Sequence, residues 1–190
     1  MNILCTICAR GNSKGVTNKA LRVINKTPLI GITIKQALKS KVFREIVIST
    51  DSKKIQKIGK EYGAKSWFLR PRSLSNDFAS KISAIRHTLI ESEKHFKVSF
   101  DVCVDLDITS PLRSIKDIKE SVKLFQKNKF SNLFSVCEAK KNPYFNMIEL
   151  KNNKVHLIKK TKNTNITSKV SSNTWSSFTR RQSSPKVFDM

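Results

Sequence analysis

Short apolar runs alternate with helical patterns along most of this chain, and this alternation limits the possible folds more than any other feature. Residues 2–8 are almost continuously apolar, as expected of a strand that is buried on both faces. A helical pattern over 28–40 and a second apolar run over 45–50 follow. Strands separated by helices pair in parallel through right-handed crossovers. The sequence therefore predicts a Rossmann-like α/β fold with a three-layer, mostly parallel sheet.

Helix ends and helix faces can be predicted in the same way. A helix over 52–62 would begin after Asp51 or Ser52, either of which can cap its N-terminus, and would end at Gly63. Asp51 is interpreted as a helix cap in preference to a catalytic group. Two later helices are indicated by apolar residues that share one face: Ile82, Ile85 and Leu89 in the first, and Ile115, Ile118, Val122 and Phe125 in the second.

Further strands are predicted over 65–69, 101–106 and 132–138. With them the alternating pattern extends to about residue 141, so we expect one α/β domain over 1–141. A chain of 190 residues with 38% hydrophobic content can bury the core of one such domain and a modest appendage.

The composition changes after residue 142. Two strand-like segments meet at Asn152 and Asn153 and predict an antiparallel hairpin. Residues 160–179 are dominated by Lys, Asn, Ser and Thr, so they can add little to a core. They predict either a mobile loop or an arm that becomes ordered against another subunit. We therefore treat 142–190 as a small β-rich extension.

The formal net charge of +23 raises the question of a polyanionic partner. The lysines are dispersed along nearly every helical pattern, which disfavours nucleic acid and suits a small anionic substrate. No segment approaches the roughly 18 consecutive apolar residues of a membrane span, and the chain does not begin with the pattern of a secretory signal. We expect a cytoplasmic protein without a membrane partner.

The spacing of Cys5 and Cys8 forms a C-x-x-C pattern, which can indicate metal or redox chemistry. Positions three apart in a strand point to opposite faces, and the redox motif normally opens a helix. Structural burial is therefore the favoured interpretation of the pair, with chemistry as the alternative. Cys103 and Cys137 also lie in strand-like runs, where cysteine acts as a small hydrophobe.

The segment ICARGNSKG, residues 7–15, ends the first predicted strand with two glycines and two basic side chains. Ligands of open α/β sheets bind beyond the carboxyl ends of the strands. Gly11 and Gly15 would let the backbone turn N–H groups toward an anion, and Arg10, Lys14 and Lys19 would supply charge. The spacing does not match the Walker A loop or the dinucleotide fingerprint. The loop therefore predicts a phosphate site of another kind, with an ordinary turn as the alternative.

Several motifs occur in a characteristic order: A-R-G-N-S-K-G at 9–15, V-I-S-T-D at 47–51, L-R-P at 69–71, T-S-P-L-R at 109–113 and R-R-Q-S-S-P at 180–185. In this order the sequence resembles the acylneuraminate cytidylyltransferase family, the CMP-sialic acid synthetases. The run D-I-T-S-P-L-R at 107–113 is most similar to the bacterial enzymes for legionaminic and pseudaminic acids. The resemblance implies a fold of the nucleotide-diphospho-sugar transferase type, with 1–141 as the nucleotide-binding domain.

The resemblance also implies an activity: transfer of CMP from CTP to a nine-carbon 2-keto sugar acid, with Mg²⁺ as cofactor, in a homodimer whose extension completes the sugar site. By position the CTP ligands would be Arg10, Gly11, Ser13, Lys14, Lys19 and Arg70, and the sugar ligands would be Asp107, Tyr144 and Arg181. The catalytic groups would be Arg10, Lys14, Lys19 and Asp107, and the metal ligand would be Asp107.

Asp105 and Asp107 lie two apart, so they share a face if the strand continues to Asp107. Two neighbouring carboxylates are costly unless a cation joins them, which favours metal binding at Asp107 over proton acceptance. Arg113 is equally compatible with a structural and a functional role. Ala20 replaces an asparagine that contacts the nucleotide in many sialic-acid enzymes, and Lys81 lies near a position that often carries a small hydroxyl residue.

Relatives of this kind usually continue beyond the segment that ends here at Met190, into an acidic stretch that supplies metal ligands. Three other functions stay open at this point, and the missing stretch favours only the second of them. The first is an enzyme for the eight-carbon acid Kdo, whose family has a similar fold. The second is a nucleotide-binding protein with weak activity, and nucleic-acid binding is a distant third.

Overall fold

The computed structural model describes residues 1–13, 15–128, 130–136, 141, 143, 147–152 and 154–159. The chain divides into two compact units, Met1–Lys129 and Phe130–Met190. The described part of the first unit has these strands: β1 (Ile3–Cys8), β2 (Val23–Ile24), β3 (Thr27–Pro28), β4 (Glu45–Ser49) and β5 (Val102–Asp105).

A parallel sheet with the order β4-β1-β5 forms the centre of the first unit. Strand β1 is the middle strand and is almost entirely buried, as its continuous apolar run predicts. The predicted α/β class with a parallel sheet is therefore confirmed. Strands β2 and β3 form a separate antiparallel pair, which the sequence pattern did not predict.

Helices cover both faces of this sheet: α1 (Leu29–Ser40), α2 (Lys53–Glu61), α3 (Lys81–Phe96) and α4 (Ile115–Lys127). Residues of α1, α2 and α4 share one hydrophobic cluster with Cys5 and Ile7 of β1. Helix α3 packs against β1 and β4 and contributes no residue to that cluster. The unit therefore has the three layers that the alternating pattern predicts.

The buried face of α3 differs from the prediction. Ile82 is 76% exposed, whereas Ala84, Thr88 and Ser92, which are spaced by four, are buried. Small residues let the helix lie close to the sheet. The hydroxyls of Thr88 and Ser92 donate to backbone carbonyls one turn earlier, at 2.7 and 2.6 Å, so their burial leaves no donor without a partner. The spacing of the apolar residues predicted the helix correctly, but it predicted the wrong residues for the face that packs against the sheet.

The predicted strand over 65–69 is reduced to one parallel bridge between Lys65 and Val47. The reason is that the amide of Gln56 in α2 donates to the carbonyl of Phe68 at 2.9 Å, so this backbone bonds to a side chain instead of a strand.

The strand predicted over 132–138 is wrong for 132–136, which form no strand. Phe134 and Val136 are partly exposed there, so the apolar alternation has no buried face to pack. Residues 137 and 138 lie outside the described residues.

In the second unit, β6 (Ile148–Lys151) and β7 (Lys154–Leu157) pair in antiparallel register. Asn152 follows β6 with a φ of 49°, a left-handed conformation that asparagine tolerates. The predicted hairpin is confirmed. Within the described ranges of both units, every helix is too short or too polar to cross a bilayer.

The two isoleucines Ile34 and Ile82 test the assignment of buried and exposed faces. Ile34 of α1 is fully buried, so Ile34→Ala should lower the free energy of unfolding by about 2 to 5 kcal/mol. Ile82→Ala should change it by less than about 0.5 kcal/mol, because the side chain lies mostly in solvent. Urea unfolding measures both. Equal losses would contradict the described face of α3.

Candidate active site

A cleft of about 600 Å³ opens at the carboxyl ends of the parallel strands. Its lining comes from the segment after β1, the loop before α3, the first residues of α3 and the segment after β5. Parallel strands end at the same edge of a sheet, which is why residues far apart in sequence meet here. The predicted residues that line it are Arg10, Ser13, Lys19, Arg70 and Asp107.

The segment after β1 is anchored to the end of β4. The backbone N–H of Gly11 donates to the Asp51 carboxylate at 2.7 Å. A Cβ at Gly11 would lie 3.0 Å from the Cβ of Ser52, so only glycine fits without displacing that segment. The helix after Asp51 is capped by Ser52, whose hydroxyl accepts the N–H of Ile55. Asp51 is thus a loop anchor, and its predicted capping role is wrong.

Arg10 reaches across the cleft to the loop before α3. Its guanidinium donates to the carbonyl of Asn76 at 2.8 Å and forms an ion pair with Asp77 at 3.2 Å. Both side chains of the ion pair are substantially exposed, so the pair is held weakly. Arg10 is therefore positioned in the cleft by contacts that a stronger anion can replace.

Arg70 is only 6% exposed and lies at the side of the cleft that β4 forms. Its Nε donates to the hydroxyl of Ser49 at 3.0 Å, and its guanidinium also donates to the Ser49 carbonyl. Burial lowers the pKa of Arg70, although an arginine stays protonated at neutral pH. The charge is therefore built into the cleft wall and cannot swing away as a surface arginine can.

Two carboxylates and one ammonium meet at the other side of the cleft. Lys81 Nζ lies 2.6 Å from Asp105 Oδ2 and 2.8 Å from Asp107 Oδ2. The second oxygen of each carboxylate accepts from a threonine: Asp105 Oδ1 from Thr6 at 3.0 Å, and Asp107 Oδ1 from Thr109 at 3.0 Å. The cation that the paired carboxylates require is thus supplied by a side chain.

This arrangement changes the proton affinity of both partners. Partial burial pushes the pKa of Asp107 upward, but the hydrogen bond and positive charge of Lys81 and the hydrogen bonds from Thr109 outweigh it, so the pKa lies below its usual range. Burial pushes the pKa of Lys81 downward, but hydrogen bonds with Asp105 and Asp107 outweigh that effect and raise it. Asp107 and Lys81 are therefore both charged at neutral pH.

Arg113 supports the backbone of the same segment. Its guanidinium donates to the carbonyl of Asp107 at 2.8 Å, and Gln36 of α1 donates to the carbonyls of Pro111 and Arg113 at 2.8 and 2.7 Å. These contacts hold the T-S-P-L-R segment against α1. Of the structural and the functional role considered for Arg113, these contacts support the structural role.

The remaining predicted residues fall in different places. Gly11 is not among the residues that line the cleft and donates its N–H to Asp51, and Ala20 is buried in the core cluster. Lys14, Tyr144 and Arg181 lie outside the described residues. Cys8 borders the cleft, where burial raises the pKa of its thiol to about 12 and makes it a poor nucleophile, in agreement with structural burial.

Sequence reasoning missed the contact of Lys81 with both aspartates and that of Arg10 with Asn76 and Asp77. A signal for the first was present. Lys81 is the first residue of α3, where the helix dipole disfavours a positive charge. A lysine in that position indicates nearby carboxylates, and the D-x-D spacing at 105–107 supplies them.

A family pattern described as cytidylyltransferase matches residues 4–187, nearly the whole chain. This chain belongs to the cytidylyltransferase family. The family membership predicted from the order of the motifs is thereby confirmed, together with the prediction of a nucleotidyltransferase. The cytidylyltransferase pattern includes every segment that lines the cleft.

Several named relatives of this cytidylyltransferase come from Campylobacter. It is 46% identical to post-translational flagellin modification protein B of Campylobacter coli and 47% identical to CMP-N,N'-diacetyllegionaminic acid synthase of Campylobacter jejuni. Each alignment covers 99% of this chain and 74% of the relative. Pseudaminic acid cytidylyltransferase of Campylobacter jejuni is 35% identical over 73% of this chain and 59% of that protein.

The fold has solved counterparts. CMP:2-keto-3-deoxy-manno-octonic acid synthetase, in a structure complexed with CTP, matches with a TM-score of 0.57 at 20% identity, over 71% of this chain and 52% of that chain. A nucleotidyl transferase from Methanothermobacter matches with a TM-score of 0.50 at 12% identity, over 64% and 57% of the two chains. At such identities the likeness establishes the fold, which is of the predicted nucleotide-diphospho-sugar transferase type.

The lowered pKa of Asp107 predicts a specific dependence of stability on pH. The ionised carboxylate stabilises the folded state above its unfolded-state pKa of about 3.9, and this contribution is lost as the pH falls through the lower folded-state pKa. Asp107→Asn should therefore be less stable than the parent between about pH 5 and 9, and the difference should shrink below about pH 4. Urea unfolding over this pH range measures it.

Glu120→Gln is the control for this series, because Glu120 forms only an exposed helical pair with Lys116 at 3.6 Å. Its effect on the free energy of unfolding should be small at every pH. A constant offset between Asp107→Asn and the parent from pH 3 to 7 would show that the Lys81 contact does not hold Asp107 in its ionised form.

Proposed function

We propose that this protein transfers CMP from CTP to a nonulosonic acid of the legionaminic type and releases pyrophosphate. The observation that carries the proposal is the convergence of Arg10, Lys19 and Asp107 on one cleft at the carboxyl edge of the sheet. Two relatives at 46 and 47% identity bear names of flagellin modification and of legionaminic acid activation, which is why this sugar is preferred to Kdo.

The triphosphate would lie against the segment after β1. Arg10, Ser13 and Lys19 face the cleft, and Lys14 belongs to the same segment by sequence. A guanidinium and ammonium groups suit phosphate oxygens because they offer several charged donors in a confined space. Arg10 would exchange its weak ion pair with Asp77 for a phosphate. Arg70, fixed against Ser49, would line the part of the cleft that receives the cytidine.

Magnesium fits these residues as an ion shared with the substrate. In proteins Mg²⁺ is usually bound by one or two carboxylates together with substrate phosphates and water. Asp107 is half-exposed in the cleft and would be its protein ligand. The described residues contain no cluster of three or more His, Cys, Asp or Glu that could hold the ion alone, which agrees with sharing. The ion would withdraw charge from the α-phosphate.

In the reaction the anomeric hydroxyl of the sugar acid attacks the α-phosphorus. A new bond forms between that oxygen and phosphorus while the bond to the pyrophosphate oxygen breaks in line with it, the hydroxyl proton passes to water, and the electron pair of the broken bond leaves with the pyrophosphate. The chain's own contribution is orientation and charge: Arg10, Lys14 and Lys19 hold the departing phosphates, and Asp107 faces the α-phosphate. Tyr144 and Arg181 would bind the sugar acid in a cytoplasmic homodimer, with the arginine on the sugar carboxylate.

Nucleotide selectivity tests the first half of the proposal. CTP with Mg²⁺ should raise the melting temperature more than ATP, GTP or UTP does. Lys19→Ala should reduce the CTP shift, because Lys19 lines the cleft, and the matched Lys39→Ala on the exposed side of α1 should leave it intact. Differential scanning fluorimetry reads all of these. Equal shifts from the four nucleotides would rule out cytidine recognition.

Acceptor specificity tests the second half. Release of pyrophosphate is measured with CTP, Mg²⁺ and a panel that contains legionaminic, pseudaminic, N-acetylneuraminic and Kdo acids. We expect legionaminic acid to give the highest kcat/KM. Preference for Kdo would favour the eight-carbon alternative, and the absence of release with every member, alongside normal CTP binding, would favour a nucleotide-binding protein.

A further inference from the structure

Lys81 occupies a position that electrostatics alone disfavours. It opens α3 directly after Ser80, whose hydroxyl caps the helix by accepting the N–H of Ser83 at 3.1 Å. The N-terminus of a helix carries partial positive charge and stabilises anions, so a lysine here is unfavourable unless carboxylates compensate. No acidic residue stands in the first turn of α3, and the compensation comes from the end of β5 instead.

The two carboxylates are arranged around this ammonium in the same way. Each places one oxygen on a threonine and the other on Lys81 Nζ, at 2.6 Å for Asp105 and 2.8 Å for Asp107. The Asp105 side chain is only 15% exposed, so water would compensate its charge poorly if its partner were removed. A buried carboxylate beside a second carboxylate needs a cation.

We infer that Lys81 is a built-in cation that occupies the place between Asp105 and Asp107 where a divalent ion would otherwise bind. The ammonium contacts the Oδ2 atom of both residues, and oxygen atoms of paired carboxylates are the ligands that Mg²⁺ and Mn²⁺ use. A divalent ion must displace this tethered ammonium to bridge the pair. The nucleotide-free protein therefore has little affinity for a metal ion at this position.

The inference deepens the proposed function, on which its catalytic consequence rests. Magnesium would arrive with the triphosphate and contact Asp107 from the cleft side, while Lys81 keeps Asp105 neutralised. An ammonium has three N–H donors, and two face the carboxylates. Among the contacts of the described residues the third has no partner, so it is available to an oxygen of the bound nucleotide or sugar acid. Lys81 is thus a positioning residue for Asp107.

The test measures metal binding without any substrate. Free Mn²⁺ is followed by electron paramagnetic resonance while it is titrated with the nucleotide-free protein. Lys81→Met keeps the length of the side chain and removes its charge, and it should bind Mn²⁺ at least about tenfold more tightly than the parent. Lys81→Arg keeps a cation and should bind as weakly as the parent. Adding Asp105→Asn to Lys81→Met should abolish the gain.

Lys65→Met is the matched control, because Lys65 pairs with Glu45 at 2.6 Å away from the cleft lining. It should leave Mn²⁺ affinity unchanged. Equal Mn²⁺ affinity of the parent and Lys81→Met would overturn the inference, as would a gain that persists after Asp105→Asn.

Folding of the variants gives a second measurement. If Lys81→Met is strongly destabilised, Asp105→Asn should restore its melting temperature, because the repulsion between two carboxylates is then removed. Failure of this restoration would contradict the inference. Neither the Mn²⁺ titration nor the melting measurement uses CTP or a sugar. The Mn²⁺ result therefore holds even if the proposed function fails, and normal CTP turnover would not rescue a failed Mn²⁺ result.

Discussion

The pairing of β1 with both of its neighbours is the interaction on which the cleft depends. Because the three strands are parallel, their carboxyl ends meet at one edge, and each end carries a polar group. Two side-chain contacts cross this edge beyond the ladder itself: Gly11 to Asp51 on the β4 side, and Thr6 to Asp105 on the β5 side. A shift of β1 by one residue would exchange its two faces and break both contacts. The register of a buried strand thus determines the electrostatics of the site.

The positively charged side chains of the cleft differ in how firmly the surrounding residues hold them. Arg70 is fixed by burial and by Ser49, and Lys81 is fixed by two carboxylates. Among the described residues, the contacts of Arg10 come from an exposed loop. A chain with a net charge of +23 attracts anions without any specific contact. The carboxylates of the cleft, Asp77, Asp105 and Asp107, instead hold Arg10 and Lys81 in position in the nucleotide-free protein.

The sequence predicted the architecture well because its elements are defined by local patterns. α1, with Pro28 as N-cap, and α4, with its Ser114 capping box, follow from signals within a few residues. The buried face of α3 could not be predicted in this way. Ala84, Thr88 and Ser92 are buried there because small side chains let the helix lie close to the sheet, and not because they are hydrophobic.

The site was predictable in part for the same reason. The motif order identified Arg10, Ser13, Lys19, Arg70 and Asp107, all of which line the cleft. The bond between Gly11 and Asp51 spans 40 residues, and that between Lys81 and Asp107 spans 26. Such contacts depend on the packing of whole elements, which no local pattern encodes. Only the unfavourable place of Lys81 at the start of α3 hinted at one of them.

The carboxylate contacts of Arg10 differ from those of Lys81 in a way that suits a substrate with several negative charges. Arg10 and Asp77 are 36 and 42% exposed, so water competes for both and their pairing costs little to break. Asp105 is 15% exposed, so separating it from Lys81 would leave a buried charge without its partner. Breaking the Arg10–Asp77 pair therefore costs less free energy than breaking the Lys81–Asp105 pair. The same cleft thereby holds one cation whose carboxylate partner is easily replaced and another that stays beside Asp105 and Asp107.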